Sequence, residues 1–193
     1  MSNALAVLPY ALGAVGGAVD GVSASSLVGA GLTLLQRSGP LVRSLYSRRA
    51  AILLPSGPKF LVALAACDGR CAVLLDPAGG PANLTETLAG YDIGAVFTIA
   101  ELATRLPSDL HRVLLDEAPR QAAVVDAGAN RSIDLGSHFG LTLDGDQDAE
   151  GSEDPAVMIP ASHNQSAIVL THADLLRAGR GVRLQSALCS ADH

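Results

Sequence analysis

Between Met158 and Leu176 the chain reads MIPASHNQSAIVLTHADLL, which sets Ser162, His163, Asn164, Gln165 and Ser166 in a row. A β-like apolar run precedes them and a helix start follows. A loop in that setting can turn backbone N–H groups toward phosphate oxygens, with hydroxyls as additional donors. The same chemistry asks for glycines, which let backbone approach an anion, and for a lysine to neutralise charge. Neither is supplied: no glycine lies between Gly151 and Gly179, and none of the five residues is lysine. The His163 imidazole can donate to an oxyanion. No carboxylate stands nearby to orient it, so the plainer reading is an exposed polar loop residue. Ser162 lacks the G-x-S-x-G context of a hydrolase nucleophile. His111 and His138 stand alone and read as structural. Thr171 with Asp174 three residues on forms an approximate capping box, with Asp174 in the positive end of the helix dipole.

Two other sets of residues have ligand-like spacing. Asp144, Asp146 and Asp148 imitate the start of a calcium loop, but Ala149 stands at the required glycine and Pro155 at the closing glutamate. The segment DGDQDAEGSEDP is therefore expected to be an acidic, solvated linker. Cys67, Cys71 and Cys189 form an odd set without a C-x-x-C pair or a histidine at ligand spacing. Cys67 and Cys71 are spaced to share one helix face, and two thiols alone make no zinc site. Buried, reduced cysteines and a cytoplasmic setting are expected.

The elements that must position these groups come from a chain of 193 residues, 49% hydrophobic and 17% charged, enough for a core of its own. Aromatics are 3% with no Trp, so the core falls to Ala, Val, Leu and Ile. The net charge is −6 and the densest basic group, Arg43 to Arg49, holds three arginines. That excludes the electrostatic footprint of a nucleic-acid binder. The apolar first twenty residues have no Lys or Arg before the run, as a signal peptide requires. Pro9, Gly13, Gly16 and Gly17 interrupt the run as a spanning helix. A packed or loosely ordered segment is expected there, and no membrane role.

From Ala50 onward the pattern is regular. AAILLP is a short apolar run that suits a strand buried on both faces. SGPKFLVALAACDG follows as a helix with Pro58 in its first turn and Gly69 to end it. CAVLLDP, IGAVFT, HRVLLD and AAVVDAG read as further strands; PANLTETLAGYD and IAELATRLP read as helices between them. Upstream, SASSLVGAGLTLLQRSG reads as a helix with Ser23 to Ser26 near its start. After the acidic linker, PAVMIP and AIVL are an outgoing and a returning strand, and THADLLRAGRGV is a helix. This alternation predicts an α/β fold: a mostly parallel sheet flanked by helices. The expected divisions are an apolar segment and helix over 1–49, a βαβ core over 50–142, the linker over 143–154, and a loop hairpin with a C-terminal helix over 155–193.

Three stretches in this order resemble the N-terminal part of the adenylate-forming superfamily, which includes acyl-CoA synthetases, fatty acyl-AMP ligases and the adenylation domains of peptide synthetases. They are AAILLPSGPKFLVALAAC, then GRCAVLLDPAGGPANLTETLAGYDIGAVFT with Gly69, Asp76 and Pro77, and finally DPAVMIPASHNQSAIVLTHADLL. They span most of Ala50 to Leu176. The resemblance implies the N-terminal subdomain fold of such an enzyme, and a family chemistry that joins a carboxylate to AMP. It also implies that the loop after PAVMIP corresponds to the family's Gly-, Ser- and Thr-rich ATP loop.

This loop is three residues shorter than the family form, with Gln165 at its proline, Ser166 at its lysine and Ala167 at the following glycine. A tight cradle without glycine costs about 1–3 kcal/mol per residue held in a sparse backbone region. The missing lysine removes a phosphate contact worth about 1.5–3 kcal/mol. The resemblance therefore marks Ser162, His163, Asn164, Ser166 and Thr171 as a vestigial ATP loop, with no catalytic residue and no metal ligand. No cofactor is expected for the chain alone; ATP and Mg are expected only if the family's later elements complete it. The expected partner is a protein, or a second copy, paired through an open sheet edge.

Overall fold

The computed structural model describes residues 18–39, 48–67, 70–126, 129–136, 153–160 and 167–178. Within the first of these, β1 (Ala18–Val19) and β2 (Val22–Ser23) pair antiparallel around Asp20 and Gly21. Both turn residues have positive φ, 51° and 78°, the two-residue geometry that matches strand twist. The first helix, α1 (Ala24–Arg37), follows at once. Ser23 caps it, its hydroxyl accepting from Ser26 N–H at 3.2 Å. Leu27, Ala30, Gly31 and Leu34 recur at helical spacing, and all are buried.

The main sheet has eight strands, β3 (Arg49–Ile52), β4 (Ala72–Leu74), β5 (Ile93–Thr98), β6 (His111–Leu114), β7 (Gln121–Asp126), β8 (Ala129–Asp134), β9 (Pro155–Ile159) and β10 (Ile168–Thr171). Their spatial order is β10-β9-β4-β3-β5-β6-β7-β8. The inner strands β9, β4, β3, β5 and β6 are mutually parallel, and an antiparallel strand or hairpin completes each side. The expected α/β architecture is therefore present, as a mixed and mostly parallel sheet.

Alternation along the strands divides the core between two faces. Ala50 and Ile52 of β3 join Ala95 and Phe97 of β5 beneath α1 and α2 (Pro58–Ala66), where Leu27, Leu34, Val62 and Ala66 meet them. Ala51, Leu53, Val73 and Val96 point the other way, onto Leu84 and Leu88 of α3 (Pro81–Gly90). Both faces of β3 and β5 are covered, which is why their sequences are continuous apolar runs.

Several details differ from the sequence expectation. The segment IAELATRLP is helical only over α4 (Ala100–Ala103). Beyond it, Arg105 and Leu106 make tight three-residue backbone bonds to Leu102 and Ala103, and Pro107 lacks the N–H that would continue the helix. Cys67 and Cys71 do not share a helix: Cys67 is the C-cap of α2, and Cys71 lies beyond it, just before β4. The strand AAVVDAG runs antiparallel to β6, and ANRSID adds β8 beside it. The linker over Asp144–Glu150, His138, Gly69 and Cys189 lie outside the described residues.

Candidate functional site

Because β9, β4, β3, β5 and β6 run in one direction, their carboxyl ends open on one edge of the sheet. The polar segment 161–166 leaves β9 at that edge, after Pro160. Strand order reverses at β3, with β4 on one side and β5 on the other. Open α/β sheets bind ligands outside the carboxyl ends of their strands at such a reversal. Ser162, His163, Asn164 and Ser166 lie outside the described residues; the strand that precedes them, β9, ends at this edge, with β4 between it and β3.

The described part of this edge is built from turns. After β4, Asp76 folds the chain back: its Oδ1 accepts from Ala78 N–H at 2.8 Å, and its carbonyl accepts from Gly79 N–H at 3.1 Å. Arg105, from the turn after α4, donates to Pro77 O at 2.6 Å and also to Gly79 O. The guanidinium fork holds the turn that leads into α3. After β3, Gly57 adopts φ 141° and ψ −166°, a region open essentially to glycine, and begins α2. The Asp20 carboxylate lies 3.7 Å from the point a Gly57 Cβ would occupy, so the β1–β2 turn also reaches this edge. After β6, both oxygens of Asp116 accept from Ala100 N–H at 3.1 Å.

The electrostatics follow from these arrangements. Helices α2 and α3 begin at the edge with glycine N-caps, no side-chain cap and no acidic residue in the first turn. Their positive ends are accordingly not offset by a carboxylate of their own. Lys59, in the first turn of α2, adds a cation. Asp76 accepts a backbone N–H within its own turn, and Asp116 accepts that of Ala100 at the start of α4. The main-chain N–H groups at the starts of α2 and α3 are the described groups that could meet an anionic ligand. Among the described residues no three His, Cys, Asp or Glu side chains are grouped to hold a metal ion.

Thr171 lies at the other end of the hairpin. In the β9–β10 register Ile168 faces Ile159 and Thr171 faces Pro155. Thr171 is thus at the amino edge of the sheet, about 10 Å along the strand from Ile168. Its hydroxyl donates to Asp174 Oδ2 at 3.0 Å and accepts from Asp174 N–H at 3.1 Å. Thr171 N–H donates to the same Oδ2 at 3.0 Å. These bonds form the capping box of the helix that runs over 172–178, named α5 here. The Thr171 backbone N–H, then its hydroxyl, hold the Asp174 carboxyl below its ordinary pKa, and Arg177 contributes further. His172 is buried, and its N–H donates to Asp154 O at 3.2 Å. Thr171 therefore stands at the opposite end of β10 from the one that segment 161–166 enters.

His111 begins β6 at its amino end and is half-buried, away from the carboxyl edge. Both described cysteines are free thiols. Burial pushes the Cys67 thiol up to about 12, reinforced by Cys71. Burial also raises Cys71, with Arg49 pulling the other way. No helix among the described residues is long and apolar enough to cross a membrane. Two features of the edge were not anticipated. The hairpin turn had a signal in Val-Asp-Gly-Val, whereas Arg105 had none, since it reaches backbone carbonyls 26 and 28 residues away.

No protein-family model and no curated protein matches the sequence. Solved structures do share its fold. Nonribosomal peptide synthetase FmoA3 superposes with a TM-score of 0.55 at 19% identity, over 85% of this chain and 15% of that one. Its alpha-methyl-L-serine-AMP bound form gives 0.55 at 18% identity, over 88% and 17%. CmiS6 gives 0.53 at 17% identity, over 83% and 37%. The chain therefore has the fold found in part of adenylate-forming enzymes, and it spans well under half the length of these neighbours.

Proposed function

We propose that this chain is an acyl-CoA synthetase-like or acyl-AMP ligase-like subdomain that does not adenylate a carboxylate by itself. The observation that carries this reading is the loop between β9 and β10. It leaves the sheet at the edge where a nucleotide phosphate would be held, yet its sequence has neither the glycines nor the lysine for that contact. ATP and Mg enter only when another polypeptide, or further chain, supplies the remaining elements of the site. Among the loop residues, Ser162, His163, Asn164 and Ser166 are the donors nearest to that role; Thr171 serves the helix cap. The free thiols of Cys67 and Cys71 support a reducing, cytoplasmic compartment.

The test is carboxylate-dependent ATP–pyrophosphate exchange by the isolated chain with Mg²⁺ and a panel of fatty, aryl and amino acids. No exchange above the protein-free control is expected. Exchange that depends on one of the acids would overturn the proposal. In parallel, Ser166→Lys with glycines restored in the loop should tighten ATP binding about tenfold, the lower end of one charge-assisted phosphate contact. Unchanged affinity would mean that the rest of the site, and not the loop, is limiting.

A second reading, a non-catalytic binding or assembly module, is favoured by one observation. The exposed large hydrophobic residues among those described are Ile159, Ile168 and Val169, at 37%, 57% and 41% exposure, and all lie on the β9–β10 hairpin. The opposite edge strand, β8, presents Asn130, Arg131, Ser132 and Asp134 to solvent, the polar surface that discourages edge pairing. Light scattering across a concentration series tests this reading. A mass that rises with concentration and returns to the monomer in Ile168→Lys supports self-assembly; a monomer throughout removes it.

A further inference from the structure

We draw no further inference here: the strongest candidate, the apolar patch of Ile159, Ile168 and Val169 on the β9–β10 edge hairpin, has nothing in the structure to show what covers it.

Discussion

Gly31→Ala tests the closest approach in the fold. Gly31 lies in α1 where that helix crosses α2. A Cβ at this position would sit 2.4 Å from Val62 O, 2.6 Å from Ala65 Cβ and 2.9 Å from Ala66 N. Ordinary carbon contacts are about 3.5–4.0 Å, so the helices must part by about 1 Å. Two of the three atoms are backbone and cannot rotate aside. A gap of that size forfeits a quarter to a half of the dispersion well for the pairs it separates, and overpacking of this kind costs about 1–3 kcal/mol. Against it stands the helix preference for Ala over Gly, about 1 kcal/mol. With the clash at the upper end, the net loss is about 2 kcal/mol, or a Tm lower by about 4–8 °C for a chain of this size.

Gly90→Ala supplies the control. Gly90 is also helical, at the end of α3, but nothing lies within 4 Å of its Cβ position. It should keep the propensity gain, about 0.5–1 kcal/mol, without the clash. Urea unfolding followed by circular dichroism would read both variants, with thermal melts alongside. If Gly31→Ala is as stable as the parent while Gly90→Ala behaves as expected, the α1–α2 spacing described here is wrong.

Two further measurements probe the C-terminal cap and the buried thiol. The Asp174 carboxyl is held below its ordinary pKa in the fold, so its contribution is present above the unfolded value near ~3.9 and is lost as pH falls through the folded value. The Tm gap between the parent and Asp174→Asn should therefore shrink from pH 6 to pH 3; a gap that ignores pH would refute the cap's electrostatics. With its pKa at about 12 and no exposed surface, Cys67 should resist iodoacetamide at pH 8 in the native protein and react in urea. Native labelling at the unfolded rate would show that the α2 C-terminus opens readily.

What the sequence revealed and what it hid divide along physical lines. The runs AAILLP and IGAVFT announce β3 and β5 because both faces of each strand are buried, which makes every position apolar. α1 was legible through its 3.6-residue stripe and the serines at its start. β8 was not: among its described side chains Ile133 alone is buried, because the strand borders solvent and is held by its ladder to β7. The direction of β7 was equally hidden, since alternation reports which faces are buried and not which way the strand runs. α4 was overextended because helical spacing continued to Leu106, while Pro107 and the pull of Arg105 toward Pro77 and Gly79 end it early. At the candidate site, the sequence indicated a loop between two strands; the sheet order adds that the strand before it, β9, is separated from β3, where the order reverses, by β4.

The last stretch of resemblance separates into two parts when its residues are placed in the fold. Thr171, His172 and Leu175 each have a structural task at the amino edge of the sheet or in the core. Thr171 closes the capping box, the His172 N–H bonds Asp154 O, and Leu175 packs on the main core cluster. Segment 161–166 departs from the family's loop in length and residue type, and the strand before it, β9, ends at the carboxyl edge. The described residues of that stretch thus serve folding, and the role of segment 161–166 is the part that the ATP-binding assay addresses. The likeness to solved structures at 17–19% identity is a likeness of fold. The likeness accounts for the architecture, and the activity has to be judged from the loop.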